Sequence, residues 1–575
     1  MSRIIRFLFI IAVLCLAAIA LFWWNRPKQV DMAGYVPANV LMYLEANSLS
    51  DIANAMTDSK VWQHLSSSLD IKSEHRQNEW LRYFIKITGI GSTSAVIATR
   101  AQIAFVVFDL GVKGRDDTLS VKPIAAFVVE THTSGTRIKP VVEKLLDDVA
   151  HRIYMQPKFE RINLEGGEFV RWIAPDGQRR IVASFDGSVA VVGNDEQAVS
   201  ACLAAHRGKR PNLLQQPELE EMRGHLHANQ ALAFGYVSSD STARLAAEIA
   251  PMFLGRLLEG SQVQQLLATA ASKTLSSIGW SARSFLGGIE DSYFLTLKPG
   301  IAARLRPAFV GTDQGVHGVW EFLPPDVYSV TTYRIREPAA AWEEINSAMS
   351  ARLDTVSAVF FTAGFRSLLT PYGIDDPNTF LKTLKPDVVT VRLSLNSDQA
   401  LVFSGIADAE GLHQFIAKAF GLKPRLERIA DTEVVVSTDE RYAASFAGDN
   451  FILGSPDDLR ACLRARAAHA TLAFTAAKLA TVTHYREGSN ASSVMTLTKD
   501  NDNVRAFVAS LATLRGSQGA PTSTEIDRFI NELPYALTET AIGESGFERR
   551  SRSTFGLFGY LVSLAVPEAR HQAQE

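Results

Sequence analysis

His225-Leu-His227 places two imidazoles at alternate positions. On a strand they would share one face and could supply two of the three or four ligands a metal needs. No third ligand lies close by in the sequence, so the pair reads as a surface pair. The paired carboxylates Asp147-Asp148 and Asp457-Asp458 could in principle share a proton. The first pair reads as a helix face and the second as a helix start, where the helix dipole favours acids. Cys15, Cys202 and Cys462 are too few for a disulfide framework. His64, His75, His151 and His413 fall on predicted helices. The chain has no HExxH, GxSxG, Walker or GxGxxG pattern. The sequence therefore assigns no catalytic, cofactor-binding or metal residue and calls for no cofactor.

Gly166-Gly167-Glu168-Phe169 comes nearest to a catalytic signature and resembles the GGDEF or GGEEF hairpin of diguanylate cyclases. The acidic residue that family carries between the glycines and the final Glu-Phe is missing. A plain Gly-Gly hairpin is the reading kept. Asn490-Ala-Ser492 fits a glycosylation acceptor, a pattern that matters only in a eukaryotic secretory route.

The elements that would have to position any site begin with an apolar run. Phe7 to Trp24 contains no polar residue other than Cys15 and approaches the ~20 residues that span a bilayer. Arg3 and Arg6 precede it, and Phe22-Trp23-Trp24 closes it with interfacial aromatics. Bulky residues stand where a signal peptidase needs small ones, so the run reads as a retained anchor. The basic residues favour a cytoplasmic N-terminus. That places the bulk of the chain in the periplasm or another extracytoplasmic space, on a single-pass anchor in an inner membrane. The 575 residues are too many for one core, and the formal net charge of −3 with no basic stripe speaks against nucleic acid.

The main body carries a duplication. ASFDGSVAVVGNDEQAVSACL (183–203) matches ASFAGDNFILGSPDDLRACL (444–463), pairing Cys202 with Cys462. Glu160-Arg161-Ile162 pairs with Glu427-Arg428-Ile429, and Tyr35-Val-Pro-Ala-Asn-Val40 with Phe322-Leu-Pro-Pro-Asp-Val327. At the turn after the first of these, the second copy reads Asp431-Thr432-Glu433, which removes the Gly-Gly-Glu-Phe motif. Gly288-Ile-Glu lines up loosely with Gly546-Phe-Glu. The division expected is a tail and anchor at 1–28, a first α+β domain at 35–298, a linker at 299–320, a second α+β domain at 321–565 and a polar tail at 566–575. Within each unit, runs such as QIAFVVFDL and KPIAAFVVET read as paired strands. Ser50 is a predicted helix cap, and Lys139–His151 a predicted helix. Hairpin turns at Glu165-Gly166-Gly167, Pro175-Asp176-Gly177 and Asp186-Gly187 favour mainly antiparallel sheets over a doubly wound fold. Arg179-Arg180 and Arg549-Arg550 read as exposed strand positions. The apolar stretch Phe555–Val566 reads as a final core strand, with a membrane-interface or partner-binding segment as the alternative.

The start Tyr35-Val-Pro37-Ala-Asn39-Val40 after a single anchor resembles a family of bacterial single-pass membrane proteins defined only as a domain of unknown function. Leu323-Pro324-Pro325-Asp326-Val327 and the closing Gly546–Gly559 also resemble it. The resemblance implies an envelope location and carries over no functional residue. The expectation is a membrane-anchored binding or scaffold protein whose partner is an envelope protein, peptide or lipid. The alternative is an extracytoplasmic hydrolase-like enzyme with a site assembled from distant residues.

Overall fold

The computed structural model describes residues 29–59, 62, 101–115, 118–164, 167–245, 269–270, 272–285, 287–309, 318–395, 397, 399–472, 493–499, 504–505, 507–508, 533 and 535–565. The expected anchor, the polar tail, His64, His75 and the Asn490 acceptor lie outside the described residues. Among the described residues no helix is long and apolar enough to cross a membrane.

The fold is α+β, with one large antiparallel sheet and helices packed on it. The first half supplies β1 (Met42–Ala46), β2 (Gln102–Asp109), the small separate hairpin β3 (Val112–Arg115) and β4 (Thr118–Val121), β5 (Ile124–Glu130), β6 (Lys158–Leu164), β7 (Gly167–Ile173), β8 (Arg180–Asp186), β9 (Val189–Gly193), β10 (Ala233–Val237), β11 (Leu275–Phe285) and β12 (Gly288–Leu297). The second supplies β13 (Ser329–Tyr333), β14 (Leu384–Arg392), β15 (Leu401–Ile406), β16 (Arg425–Ile429), β17 (Thr432–Val436), β18 (Ala443–Ala447), β19 (Asn450–Gly454), β20 (Val494–Lys499), β21 (Tyr535–Ile542) and β22 (Gly546–Ser553).

Their order in space is β6-β7-β8-β9-β5-β2-β1-β10-β11-β12 and then β22-β21-β20-β13-β14-β15-β19-β18-β17-β16. The second half repeats the first in reverse. Such an order has a pseudo-twofold axis between β12 and β22. There Ser292 faces Arg550, and Gly288 and Gly546 occupy matching positions beside the partner strand. A Cβ on Gly288 would collide with the Ser553 carbonyl, and one on Gly546 with the Leu295 carbonyl. Across the seam Arg552 bonds Glu290 at 2.8 Å, and its guanidinium lies 4.6 Å above the Phe285 ring.

Alternate strand residues face the two main cores, as a half-buried sheet requires. In the first half Val106, Val128, Val191 and Phe169 pack against Cys202 and Leu203 of the helix Glu196–His206. In the second half Val391, Phe403, Val436 and Ile452 pack against Cys462 and Leu463 of the helix Pro456–Ala467. Both thiols are free and buried. The matched Ser184 and Ser445 hydroxyls donate to the Glu168 and Glu433 carbonyls, at 2.8 and 3.0 Å.

Several local expectations are corrected. The segment 555–566 is not a strand, because Gly556–Ala565 is a helix. Its first amides are taken by Ser553 Oγ (from Gly556 N, 3.1 Å) and Asp291 Oδ2 (from Leu557 N, 2.9 Å). Phe555 and Phe558, three residues apart, turn into a core with Trp280 and Phe507. His225 ends the helix Pro217–His225, and His227 has a left-handed backbone (φ 48°), so no strand aligns the two imidazoles. Arg179 precedes β8 rather than lying in it. The first predicted helix starts earlier, with Ser48 rather than Ser50 as its cap. The helix predicted over 139–151 runs Gly135–Tyr154. The stretch 299–320 contains the short helix Ile301–Leu305. Finally, the Glu-Arg-Ile match slips by two. Phe169 and Val434 both face the matched serines, and their other neighbours are Ile162 and Glu427. A two-residue slip keeps every side chain on its face, so alternation could not reveal it.

Candidate functional site

Residues 30–45 build a largely buried polar cluster in the first half. Asp31 caps the short 3-10 turn Met32–Tyr35 by accepting from Ala33 N at 3.0 Å. Met32, Ala33 and Val36 then sink fully into the core. This packing pins the backbone that follows Asp31. Val30 is held by a side-chain clamp. Its N–H donates to Gln102 Oε1 at 2.8 Å, and its carbonyl accepts from Gln102 Nε2 at 2.9 Å. Gln102, the buried first residue of β2, also donates to Asn47 Oδ1 at 3.1 Å.

Arg223, on the helix Pro217–His225, reaches back to the same segment. It forks onto Asp31 with Nη1 to Oδ2 at 2.7 Å and Nη2 to Oδ1 at 2.9 Å. Nη2 also lies 3.1 Å from Glu45 Oε1. Tyr43 donates to Glu45 Oε2 at 2.5 Å, and the guanidinium sits 5.7 Å above the Phe234 ring. Tyr43 and Glu45 point to the core face of β1, with Tyr43 fully buried and Glu45 8% exposed. Burial pushes the Glu45 carboxyl above its ordinary range despite the Arg223 charge. Burial also pushes Asp31 up, but its hydrogen bonds and charge pairing with Arg223 outweigh this and hold it below the usual range. Desolvation lifts the Tyr43 phenol well above its ordinary value, and Glu45 adds to the effect.

Among the described residues the second half shows no counterpart of this cluster. The paired strands place Val330 where β1 has Tyr43 and Thr332 where it has Glu45. Counting back from the Tyr35/Phe322 match, Gly318 stands for Asp31. The apolar scaffold is nevertheless the same. Leu213 N bonds the Val36 carbonyl at 2.8 Å, and Leu472 N bonds the Leu323 carbonyl at 2.7 Å. Among the described residues the ionic network thus belongs to the half that follows the apolar run.

A second polar group adjoins it. Glu130, buried on β5, accepts from Ser188 Oγ at 3.0 Å and from His132 N at 2.7 Å. His132 Nε2 lies 3.1 Å from Gln102 Oε1. The serine is engaged by the carboxylate and the imidazole by an amide, so the arrangement braces the Val30 clamp. A nucleophilic serine needs its hydroxyl on the imidazole instead.

The residues singled out in the sequence do not assemble into a site. Asp147 and Asp148 lie on the helix Gly135–Tyr154, where Asp147 accepts from Trp172 Nε1 at 2.8 Å. His151 stands one turn along the same helix, its Nδ1 2.9 Å from the Asp147 backbone carbonyl and 3.6 Å from the Asp147 carboxylate. His413 stacks on Phe446. Asp457 and Asp458 open the helix Pro456–Ala467. Glu168, near the start of β7, is held in ion pairs with Lys139 and Arg161. Among the described residues no group of three or more His, Cys, Asp or Glu could hold a metal ion. Sequence reading missed the Asp31–Arg223–Glu45 cluster. Its one signal was a Glu at an inward position of the apolar strand NVLMYLEAN.

No protein-family model matches the chain, and no curated protein matches it. Among solved structures, crystal form III of TP0453 aligns at 12% identity over 47% of this chain and 81% of that one, with a TM-score of 0.25. That likeness is too slight to bear on fold or function.

Proposed function

We propose that this chain is a membrane-anchored binding or scaffold protein of the cell envelope, with its tandem body displayed outside the inner membrane. The partner class is an envelope protein, a peptide or a lipid. The supporting observation is the clamp on Val30 and Asp31. Val30 stands six residues beyond Trp24, the last residue of the apolar run. Six extended residues reach at most roughly 20 Å. With Val30 fixed to Gln102 and Asp31 to Arg223, the body is carried close to the bilayer surface rather than swinging on a tether. The Arg223–Glu45 pair, buried in the half nearer the apolar run, suits that role, since buried pairs of this kind serve to fix geometry more than to stabilise.

Topology is tested with a reporter fused after Glu575 that works only outside the cytoplasm. Activity of that fusion and retention of the protein in the membrane after alkaline washing are expected. A fusion active only in the cytoplasm, or a protein released by the wash, would overturn the reading. Crosslinking in the native membrane should then capture a defined envelope partner or lipid.

A further inference from the structure

The two open edges of the sheet carry closely similar octapeptides. Met155-Gln-Pro-Lys-Phe-Glu-Arg-Ile162 leads into β6, and Leu422-Lys-Pro-Arg-Leu-Glu-Arg-Ile429 leads into β16. Among the described residues each strand is paired on one side only, β6 with β7 and β16 with β17. An unpaired edge is a template for another strand. The two edges differ in how they are guarded. At β6 the Phe159 ring is 45% exposed but rests 5.3 Å from Trp172 with the Arg161 guanidinium 5.4 Å above it. At β16 Leu426 is 64% exposed, and Leu422 just before the strand is fully exposed.

We propose that β16 is a self-association edge, and that its occupant is the β16 edge of a second copy of this chain, added antiparallel. The argument is charge complementarity in a fixed register. In an antiparallel pair, directly opposed residues lie on the same face of the sheet, so a twofold axis must pass where a residue faces its own counterpart. Centring on Leu426 sets Arg425 opposite the second copy's Glu427, twice, with Leu426 against Leu426 on the other face. Centring on Glu427 or Arg425 sets like charges together. Within one copy Arg425 pairs with Glu427 at 2.5 Å and with Glu440 at 2.9 Å, and Glu427 also holds Arg460 at 2.8 Å, so both charges keep an intramolecular partner when the cross-copy pair forms. Pro424 has no N–H and bounds the pairing to the residues that follow it. The seam between β12 and β22 is built on the same rule, with Ser292 opposite its counterpart Arg550.

The test uses the full chain in detergent micelles, with Cys15→Ser to remove the cysteine outside the two buried thiols. Leu426→Cys should form a disulfide-linked dimer on mild oxidation, whereas Phe159→Cys should stay monomeric. Arg425→Glu and Glu427→Arg should each lower the dimer fraction at fixed concentration by roughly tenfold, since two opposed pairs become repulsive. Mixing those two variants should restore dimer, because the two acidic positions of one variant then face the two basic positions of the other. The proposal falls if folded Leu426→Cys does not crosslink, if Phe159→Cys crosslinks equally, or if the mixture stays as dissociated as its components. The readout is independent of topology and anchoring, so it can fail while the envelope reading stands.

Discussion

At the residue scale, Arg223 is the side chain on which most depends. Its guanidinium joins a helix, a strand and the incoming chain through Asp31 and Glu45. Replacing it with Met would leave the Glu45 carboxyl buried without its counter-charge, a loss of roughly 3–5 kcal/mol. Denaturant titration should show the midpoint falling, and an unchanged midpoint would contradict the network's role. Glu45→Gln should soften the loss in the double variant, because the stranded charge is gone. The acid limb has a definite sign for Asp31. Its folded pKa is depressed, so its contribution is present above the ordinary value of 3.8 and is lost as pH falls through the folded pKa. The buried thiol of Cys202 behaves oppositely. Burial pushes it up to about 12 from 9.0, so the stability it carries is complete below pH 9 and drains away between 9 and 12. Cys202→Ala should flatten that alkaline decline in thermal melts recorded across the window. In the native protein neither Cys202 nor Cys462, which burial also raises, should react with a thiol reagent at neutral pH.

At the scale of elements, the seam and the last helix are the sensitive parts. Gly546 lies where β22 passes against Leu295, and any side chain must push the strands apart. Gly546→Val should cost about 1–3 kcal/mol by overpacking and separate the melting of the two halves, a split calorimetry would reveal. Retention of one unshifted transition would count against that account. Asp291 holds Trp280 Nε1 at 2.9 Å in a buried bond and the Leu557 amide at 2.9 Å in a half-buried one. Asp291→Ala should loosen the helix Gly556–Ala565 at a cost of about 1–3 kcal/mol, seen as faster amide exchange there. These elements also mark how far sequence reading reaches. The hairpins with Pro175-Asp176-Gly177 and Asp186-Gly187 were legible because their turn chemistry is local. The helix at 556–565 was not, because its capping carboxylate comes from Asp291, far away in the chain. A twelve-residue apolar run satisfies strand and helix alike until that cap is known. The Glu-Arg-Ile register was hidden for the same reason, since only the opposing strand fixes it.

At the scale of the whole molecule, the duplication was visible in sequence through Cys202/Cys462 and the glycines around them, while the joining of both halves into one sheet was not. Nothing in a repeat says which edge faces its twin, and that choice rests on Gly288, Gly546 and the Glu290–Arg552 pair. The asymmetry between halves was equally hidden, because the partner of Asp31 lies far along the chain at Arg223. On the proposed anchored arrangement, lengthening the five-residue passage between Trp24 and Val30 with ten Gly-Ser residues should leave the body folded while freeing it from the surface. Fluorescence quenching from lipid-borne quenchers to a dye on the body should then fall, and unaltered quenching would refute the fixed stand-off.

The reversed strand order has a consequence for how the chain is made. β12 ends the first half, yet its outer neighbour β22 is synthesised some 250 residues later. Throughout that interval the first half carries a long, bare strand flank in whatever compartment receives it. Any nascent or prematurely stopped chain ending before Gly546 keeps that flank open. A chaperone that masks strand edges is the kind of helper such a birth order calls for.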